Sequence, residues 1–349
     1  MISERGDEAR DNGYAFYKYM KRSHPEIKLK YIITKDSYDL HRIDKADIIF
    51  KQTLSHHLAF LNSKFLISTH HMGCSPEFGM FGKLDDCNLV FTRGKRIFLQ
   101  HGIIYNYLPS LVNKKINLFI TSSEMERQFI IEQFNYKSKV VKCTGLARYD
   151  DLIPSNKNYI LVMPTWRSYL YYCNENQILK SDYYNNWLNF LNNSDLTNKL
   201  NTEKLKLIFY PHYEAQKYFT QDKIKNKNVI LASATKYDIH ELLKNCTMFI
   251  TDYSSTFFDV AYMHKPIIYF VFDYKDFYLK HYKKGYIDIK KEGFGIPCEN
   301  LNQLVIETLK MIDTSFKTEK KYLIKEKKFY KYNDKNNCER IYEEICNLN

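Results

Sequence analysis

Short apolar runs alternate along the chain with longer stretches whose apolar residues recur at helical spacing. The runs at 29–34, 47–50, 65–69, 96–100, 118–121 and 140–144 have strand length. Between the last two, the pattern predicts a helix over Glu124–Phe134. Ser123-x-x-Glu126 reads as its capping box, and Met125, Phe129, Ile130 and Phe134 as its apolar face. A second series follows at 159–163, 205–210, 229–231, 248–251 and 267–272, with helices expected at 239–244 and 257–264. Short runs of buried character between helices imply parallel sheets and a doubly wound α/β fold. Two series imply two domains, at 1–155 and 156–315, because polar residues at 154–158 separate them. The tail, 316–349, reads as C-terminal helices. An apolar face of Val305, Leu309 and Ile312 leads into it from Asn300 and Asn302. Met1 stands close to the first recognisable element, so a leading strand or an N-terminal module is expected to be missing.

One stretch departs from the alternation. Residues 166–193 are aromatic and polar, with Tyr169, Tyr171, Tyr172, Tyr183, Tyr184, Trp187 and Phe190. They suit either an interfacial helix at headgroup depth or a loop and helix packed on their own domain. Low Lys and Arg content favours packing.

Composition narrows the function classes. The chain has 349 residues, 44% hydrophobic and 26% charged, enough for two full cores and too apolar for disorder. No window approaches a membrane span, and the acidic, polar N-terminus is not a signal peptide. The eight cysteines show no Cys-x-x-Cys pair, so they read as reduced cytosolic thiols. The net charge of +12 is spread along a Lys-, Asn-, Ile- and Tyr-rich chain, densest near the C-terminus. With no zinc finger or aromatic RNA-binding motif, nucleic acid is not an expected partner.

Candidate chemistry sits at strand ends, where open α/β sheets bind ligands. The run at 96–100 ends in Gln100-His101-Gly102, and that at 159–163 leads to Thr165 and Arg167. The run at 205–210 ends in Pro211-His212, and that at 248–251 opens into Thr251-Asp252-Tyr253-Ser254-Ser255, with Asp259 beyond. Such a set suits transfer from a nucleotide diphosphate. His101 is the candidate base, and Gly102 leaves room beside it. His212 and Arg167 are candidates to hold phosphoryl oxygens, and the Ser254–Ser255 segment to cradle the pyrophosphate at a helix start. Ordinary helix capping is the competing reading of those serines. There is no P-loop and no Asp-x-Asp. No cofactor is therefore expected, and Mg²⁺ has no evident site. The pairs His56-His57 and His70-His71 invite a metal reading. Adjacent positions on a strand face opposite ways, which disfavours it.

Several segments, in order, resemble one family. They are Ile2-Ser3-Glu4-Arg5-Gly6 with Ala9-Arg10-Asp11-Asn12-Gly13-Tyr14, then Phe98-Leu99-Gln100-His101-Gly102-Ile103. Thr144-Gly145-Leu146-Ala147-Arg148-Tyr149-Asp150, Met163-Pro164-Thr165-Trp166-Arg167 and Tyr210-Pro211-His212 follow. The last are 251–259, Lys265-Pro266-Ile267, Phe272-Asp273-Tyr274 and Gly293-Phe294-Gly295. Together, over roughly residues 1–312, they are similar to the CDP-glycerol:poly(glycerophosphate) glycerophosphotransferases of teichoic acid and capsule loci.

The resemblance implies a GT-B-like fold, two Rossmann-like domains facing a central cleft. It implies transfer of a polyol phosphate from CDP-glycerol or CDP-ribitol to a hydroxyl of a lipid-linked or polysaccharide acceptor, releasing CMP. The family's two important histidines fall on His101 and His212. His101 would deprotonate the acceptor, with Gln100 and Gly102 on the acceptor side. His212, Arg167, Thr165, Thr251, Ser254 and Ser255 would hold the donor's diphosphate. Asp252 and Asp259 would contact its glycerol or ribose. Tyr210 stands where the family commonly has a His. The chain lacks the long N-terminal extension of the large polymerases, which implies a shorter priming or capsule-type transferase. A lipid-linked acceptor implies a cytoplasmic protein, peripheral on the inner leaflet. The alternatives are a GT-B glycosyltransferase using a nucleotide sugar and a non-catalytic membrane-surface scaffold.

Overall fold

Strands buried on both faces need apolar side chains on both, which is why the runs do not alternate. The computed structural model describes residues 1–77, 79–80, 83–84, 92–233 and 236–348. The chain divides into two compact units. The first holds Met1–Ile104, Leu108–Asp151 and Phe329–Asn349; the second holds Tyr105–Tyr107 and Leu152–Lys328.

Among the described residues the first unit has seven strands: β1 Ile2–Ser3, β2 Tyr31–Ile33, β3 Ile48–Phe50, β4 Phe65–Ser68, β5 Lys95–Phe98, β6 Leu118–Thr121 and β7 Val141–Cys143. Their spatial order is β3-β2-β1-β4-β5-β6-β7, all parallel. The order reverses between β1 and β4, so loops at their carboxyl ends diverge and leave a crevice there. A leading strand is thus present. It is two residues long, and it sits mid-sheet because Ile2 is fully buried between Tyr31 and Ile67.

The second unit has six strands among the described residues: β8 Tyr159–Met163, β9 Lys206–Phe209, β10 Val229–Leu231, β11 Met248–Thr251, β12 Ile267–Phe270 and β13 Ile296–Cys298. They run parallel in the order β10-β9-β8-β11-β12-β13, with the switch between β8 and β11. The last strand carries Pro297, which an edge position tolerates because no ladder N–H is needed there. Both sheets are Rossmann-like.

The aromatic stretch packs on its own unit. Trp166, Tyr183, Tyr184, Trp187 and Phe190 are buried in the second core with Phe209, Phe219 and Phe270. Only Tyr171 and Tyr172 of that group stand well out. Among the described residues no helix is long and apolar enough to cross a membrane.

The tail does not form a separate body. The helix Asn337–Cys346 belongs to the first unit. Asp150 takes the Asn337 and Cys338 N–H groups, and Arg340 Nε donates to Thr144 O. Tyr19 Oη donates to Glu339, and Lys142 pairs with Glu344. Gly145, at φ +83°, lets the chain pass so close to Asn337 that a Cβ would overlap its Oδ1.

The helix Glu124–Phe134 forms as expected, but its box is only half made. Ser123 Oγ caps the Glu126 N–H at 3.1 Å, while the Glu126 carboxylate turns to Ser122 N and Ile104 N. Met125 is exposed rather than on the packed face. His56 and His57 lie in the helix Leu54–Asn62, not on a strand, and each bonds to backbone. Seven cysteines are free thiols, and Cys87 lies outside the described residues.

Candidate functional site

In the first unit, His101 follows β5 through Gln100, whose φ of +63° turns the chain out of the sheet. Gln100 is fully buried, donating from Nε2 to Ile120 O at 2.5 Å, while its carbonyl accepts from Asn12 Nδ2 at 2.9 Å. Glu126 fixes the far end of the same loop at Ile104 N, and burial pushes its carboxyl up to about 7. Gln100 therefore shapes the loop, and His101 is the residue it presents.

His101 Nδ1 donates to Asp11 Oδ2 at 2.7 Å. Asp11 is also held by Arg148 Nη1 at 2.8 Å, and that nitrogen donates to His101 O as well. Arg148 N in turn donates to Asn12 Oδ1. The Asp11 N–H is fixed by Glu4, a buried carboxylate that also accepts from Arg10 N and Tyr14 N. With Nδ1 protonated toward Asp11, Nε2 is the basic nitrogen, and the side chain is 57% exposed. Burial disfavours the imidazolium, but the adjacent Asp11 carboxylate outweighs it, so the His101 pKa is raised. His70, after β4, lies with its ring centroid 5.1 Å from that of His101. Burial first, then His101 and Arg5, hold its pKa down at about 4.

In the second unit the switch point between β8 and β11 brings Thr165 and Arg167 beside Asp252. Arg167 is fully buried. Its Nη1 donates to Asp252 Oδ2 at 2.9 Å and to Thr165 O at 2.6 Å. Its Nε and Nη2 form a fork on Asp273 at 2.6 and 3.1 Å. Two carboxylates against one guanidinium leave buried negative charge, which further donors offset. Thr165 N and Tyr253 N bond Asp252, and Tyr253 Oη and Tyr169 Oη bond Asp273. Burial nonetheless raises the Asp252 pKa, with Arg167 opposing it. Four of the guanidinium's five donors are thus committed to protein oxygens, and Asp252 faces inward. These bonds tie the 163–168 and 251–255 loops to one another. Thr251 is equally internal, its Oγ1 donating to Met163 O at 2.7 Å across the two strands. Asp259 is buried in the helix Phe257–Tyr262.

Ser254 and Ser255 are half-buried. That helix starts at Phe257, as expected, after a turn in which Phe257 N and Phe258 N bond the Ser254 and Ser255 carbonyls. Ser254 Oγ accepts from Thr256 N at 3.4 Å, a long capping bond at the start of that turn, while Thr256 makes no side-chain cap bond. Ser254 Oγ lies 2.9 Å from Thr256 Oγ1. His212 sits just beyond β9, its Nδ1 accepting from Glu214 N at 3.4 Å, which places the proton on Nε2. Tyr210 is buried, with its N–H extending the ladder to Val162 O. His281, unremarked in the sequence, accepts from Ser168 N at 2.8 Å.

Sequence reasoning singled out His101, His212, Arg167 and the serines, but not the partners that hold His101 and Arg167. Asp11 and Asp273 stood within the quoted segments, yet nothing in their spacing announced a partner 90 or 106 residues away. Among the described residues no three His, Cys, Asp or Glu side chains gather as a metal site.

Known proteins share this plan. GgaB of Bacillus subtilis (strain 168), a minor teichoic acid biosynthesis protein, is 32% identical over 366 residues, covering 100% of this chain and 39% of GgaB. A teichoic acid poly(glycerol phosphate) polymerase of the same strain is 24% identical over 330 residues, covering 87% of the chain and 42% of the polymerase. The chain therefore spans about two fifths of the length of these relatives. Among solved structures, a histidine variant of the wall teichoic acid polymerase TagF superposes with a TM-score of 0.76 at 15% identity, covering 99% of this chain and 88% of that one. The S. aureus MnaA–UDP structure gives 0.60 at 14% identity, covering 100% and 98%. These likenesses establish the GT-B-like fold. The model of CDP-Glycerol:Poly(glycerophosphate) glycerophosphotransferase matches residues 1–347, and the chain belongs to that family.

Proposed function

We propose that the chain transfers glycerol phosphate from CDP-glycerol to an acceptor hydroxyl in teichoic acid synthesis. The observation that carries this reading is the Asp11–His101 pair, which holds a basic Nε2 toward solvent. In the proposed step the acceptor hydroxyl oxygen attacks the phosphorus bearing glycerol. Its proton passes to His101 Nε2. The bond from that phosphorus to the bridging oxygen breaks, and CMP leaves with the electron pair. Positioning and charge stabilisation supply most of the acceleration in such transfers.

The second unit is the proposed donor side. Ser254 and Ser255 hydroxyls and the Nε2–H of His212 are the donors assigned to the diphosphate. Arg167, Asp252 and Thr165 are assigned as positioning residues, because the guanidinium, the carboxylate and the Thr165 backbone already hold one another. The roles of Gly102 on the acceptor side and of Asp259 near the polyol are part of the same proposal. CDP-ribitol is the alternative donor, capsule synthesis the alternative setting, and a lipid-linked acceptor on the inner leaflet the proposed location, consistent with a net charge of +12. No resident metal is assigned.

Purified protein given CDP-glycerol, CDP-ribitol and UDP-sugars in turn, with CMP or UDP release followed, tests the reading. Release of CMP from CDP-glycerol in an acceptor-dependent manner is expected. UDP release from a nucleotide sugar would favour the glycosyltransferase alternative instead.

A further inference from the structure

Four neighbouring strands of the second sheet, β9-β8-β11-β12, send out the loops that carry the donor-side residues. His212 follows β9, Arg167 and Ser168 follow β8, and Ser254 and Ser255 follow β11. Beyond β12 comes the helix Tyr274–Lys280, and His281 ends it. That helix is tied at both ends to the loop after β8. At its start Asp273 takes the Arg167 fork. At its end Ser168 N donates to His281 Nδ1 at 2.8 Å, and Ser168 Oγ donates to Lys280 O at 3.3 Å. The imidazole stacks on Phe277, with centroids 4.8 Å apart and planes at 16°, and Tyr282 meets it edge-on at 4.3 Å. Phe277 lies in turn on Tyr253, the residue before Ser254, at 3.7 Å and 11°. The ring is therefore fixed relative to the serine segment.

Its tautomer is fixed too. A ring nitrogen that accepts a hydrogen bond carries no proton, so His281 is a neutral imidazole with its N–H at Nε2. Burial first, then Arg167, hold its pKa down at about 4, with Asp273 opposing and His212 adding to the effect. The side chain is half-buried, and Nε2 meets no protein acceptor among the described residues. The same device recurs at His212, whose Nδ1 accepts from Glu214 N and whose proton also stands on Nε2.

We propose that His281 is a further donor-binding residue, its Nε2–H joining that of His212 on the diphosphate of the bound nucleotide. The inference rests on the second unit being the donor side. An N–H aimed by a backbone bond on the opposite ring nitrogen is preorganised, so the diphosphate meets a donor that need not turn or give up another acceptor. The contact supplies a hydrogen bond to an anion without adding a charge. It also gives the helix Tyr274–Lys280 a task, since that helix sets where the ring stands.

Two substitutions separate this contact from the ring's hold on Ser168. An Asn carbonyl oxygen falls near the place of Nδ1, and a Gln amide nitrogen near that of Nε2. His281→Asn therefore keeps an acceptor for Ser168 N and loses the donor, while His281→Gln keeps a donor and loses the acceptor. Calorimetric titration of CDP-glycerol, without acceptor, should show binding weakened at least ~10-fold in His281→Asn, with melting temperature unaltered, and less than ~3-fold in His281→Gln. The reverse order, or no difference between the two variants, overturns the proposal. CDP, which lacks the polyol, should show the same order. A loss confined to CDP-glycerol would move the contact to the polyol and overturn the assignment to the diphosphate. UDP-glucose bound in place of CDP-glycerol, with the same order among the variants, overturns the donor reading alone. Binding of none of these nucleotides by the parent overturns both.

Discussion

Each unit presents a charged cluster at or beside its switch point, and the two clusters are built to opposite ends. In the first unit Asp11, Arg148 and Glu4 are buried while His101 looks outward with one nitrogen open. In the second, Arg167 and Asp252 are both fully buried and face each other, with Asp273 nearly so. An open group with a buried partner can change its protonation state during a reaction. A closed set cannot do so cheaply, because any lost partner strands a charge in low dielectric. The first cluster is thus suited to chemistry and the second to holding loops in register.

The sharpest way to break this contrast is His101→Ala. It should lower acceptor-dependent CMP release by ~10²–10⁴-fold, the usual range for a lost general base, with little change in stability. A rate near that of the parent would remove His101 from the reaction. The opposite signature is expected for Arg167→Met, which should cost about 3–5 kcal/mol of stability by stranding two carboxylates. Urea unfolding followed by tryptophan fluorescence checks it cleanly, since both tryptophans, Trp166 and Trp187, lie in that unit.

Asp11→Asn tests the coupling within the open cluster. A roughly 10–100-fold loss is expected, smaller than loss of the base itself. The pH profile is more telling. His101 acts as a base only when neutral, and its pKa is raised, so activity should climb with pH through a value above 6.5. Asp11 and Glu8 raise that pKa and Arg148 lowers it. His70 lies beside the ring. Removing the Asp11 charge should therefore move the acid limb to lower pH, and an unmoved limb would show that another group controls it. The smallest effect is expected for Ser254→Ala/Ser255→Ala. Loss of neutral hydroxyl donors, each worth about 1 kcal/mol, should raise KM for CDP-glycerol several-fold each while changing kcat less. A kcat effect without a KM effect would move these serines out of ground-state donor binding.

Much of this was legible in the chain. Strand-length apolar runs located β6, β8, β10 and β11 residue for residue, because burial on both faces leaves no polar residue inside them. Two strands escaped notice for physical reasons. Strand β1 is only two residues long, too short to show any period. Strand β13 carries Pro297, which argues against a strand unless it lies at an edge. At the site, side chains at strand ends were readable because the fold class says where strand ends point. The hydrogen bonds that decide roles were not, since Asp11–His101 and Arg167–Asp273 are pairings of distant segments. Hence Arg167, which by residue type reads as a phosphate fork, is found with its fork already on Asp273.

The return of the last helix to the first sheet has a temporal consequence. The first unit is complete only when Phe329–Asn349 joins it, after the intervening residues 152–328 have been made. At about 5–20 residues per second, synthesis of that span takes roughly 10–35 s. During that interval Asp150 and the Thr144 carbonyl lack the Asn337, Cys338 and Arg340 donors that cap them in the finished fold. The unit that carries His101 is begun before the second unit and closed after it, so its assembly waits until residues 329–349 have been made.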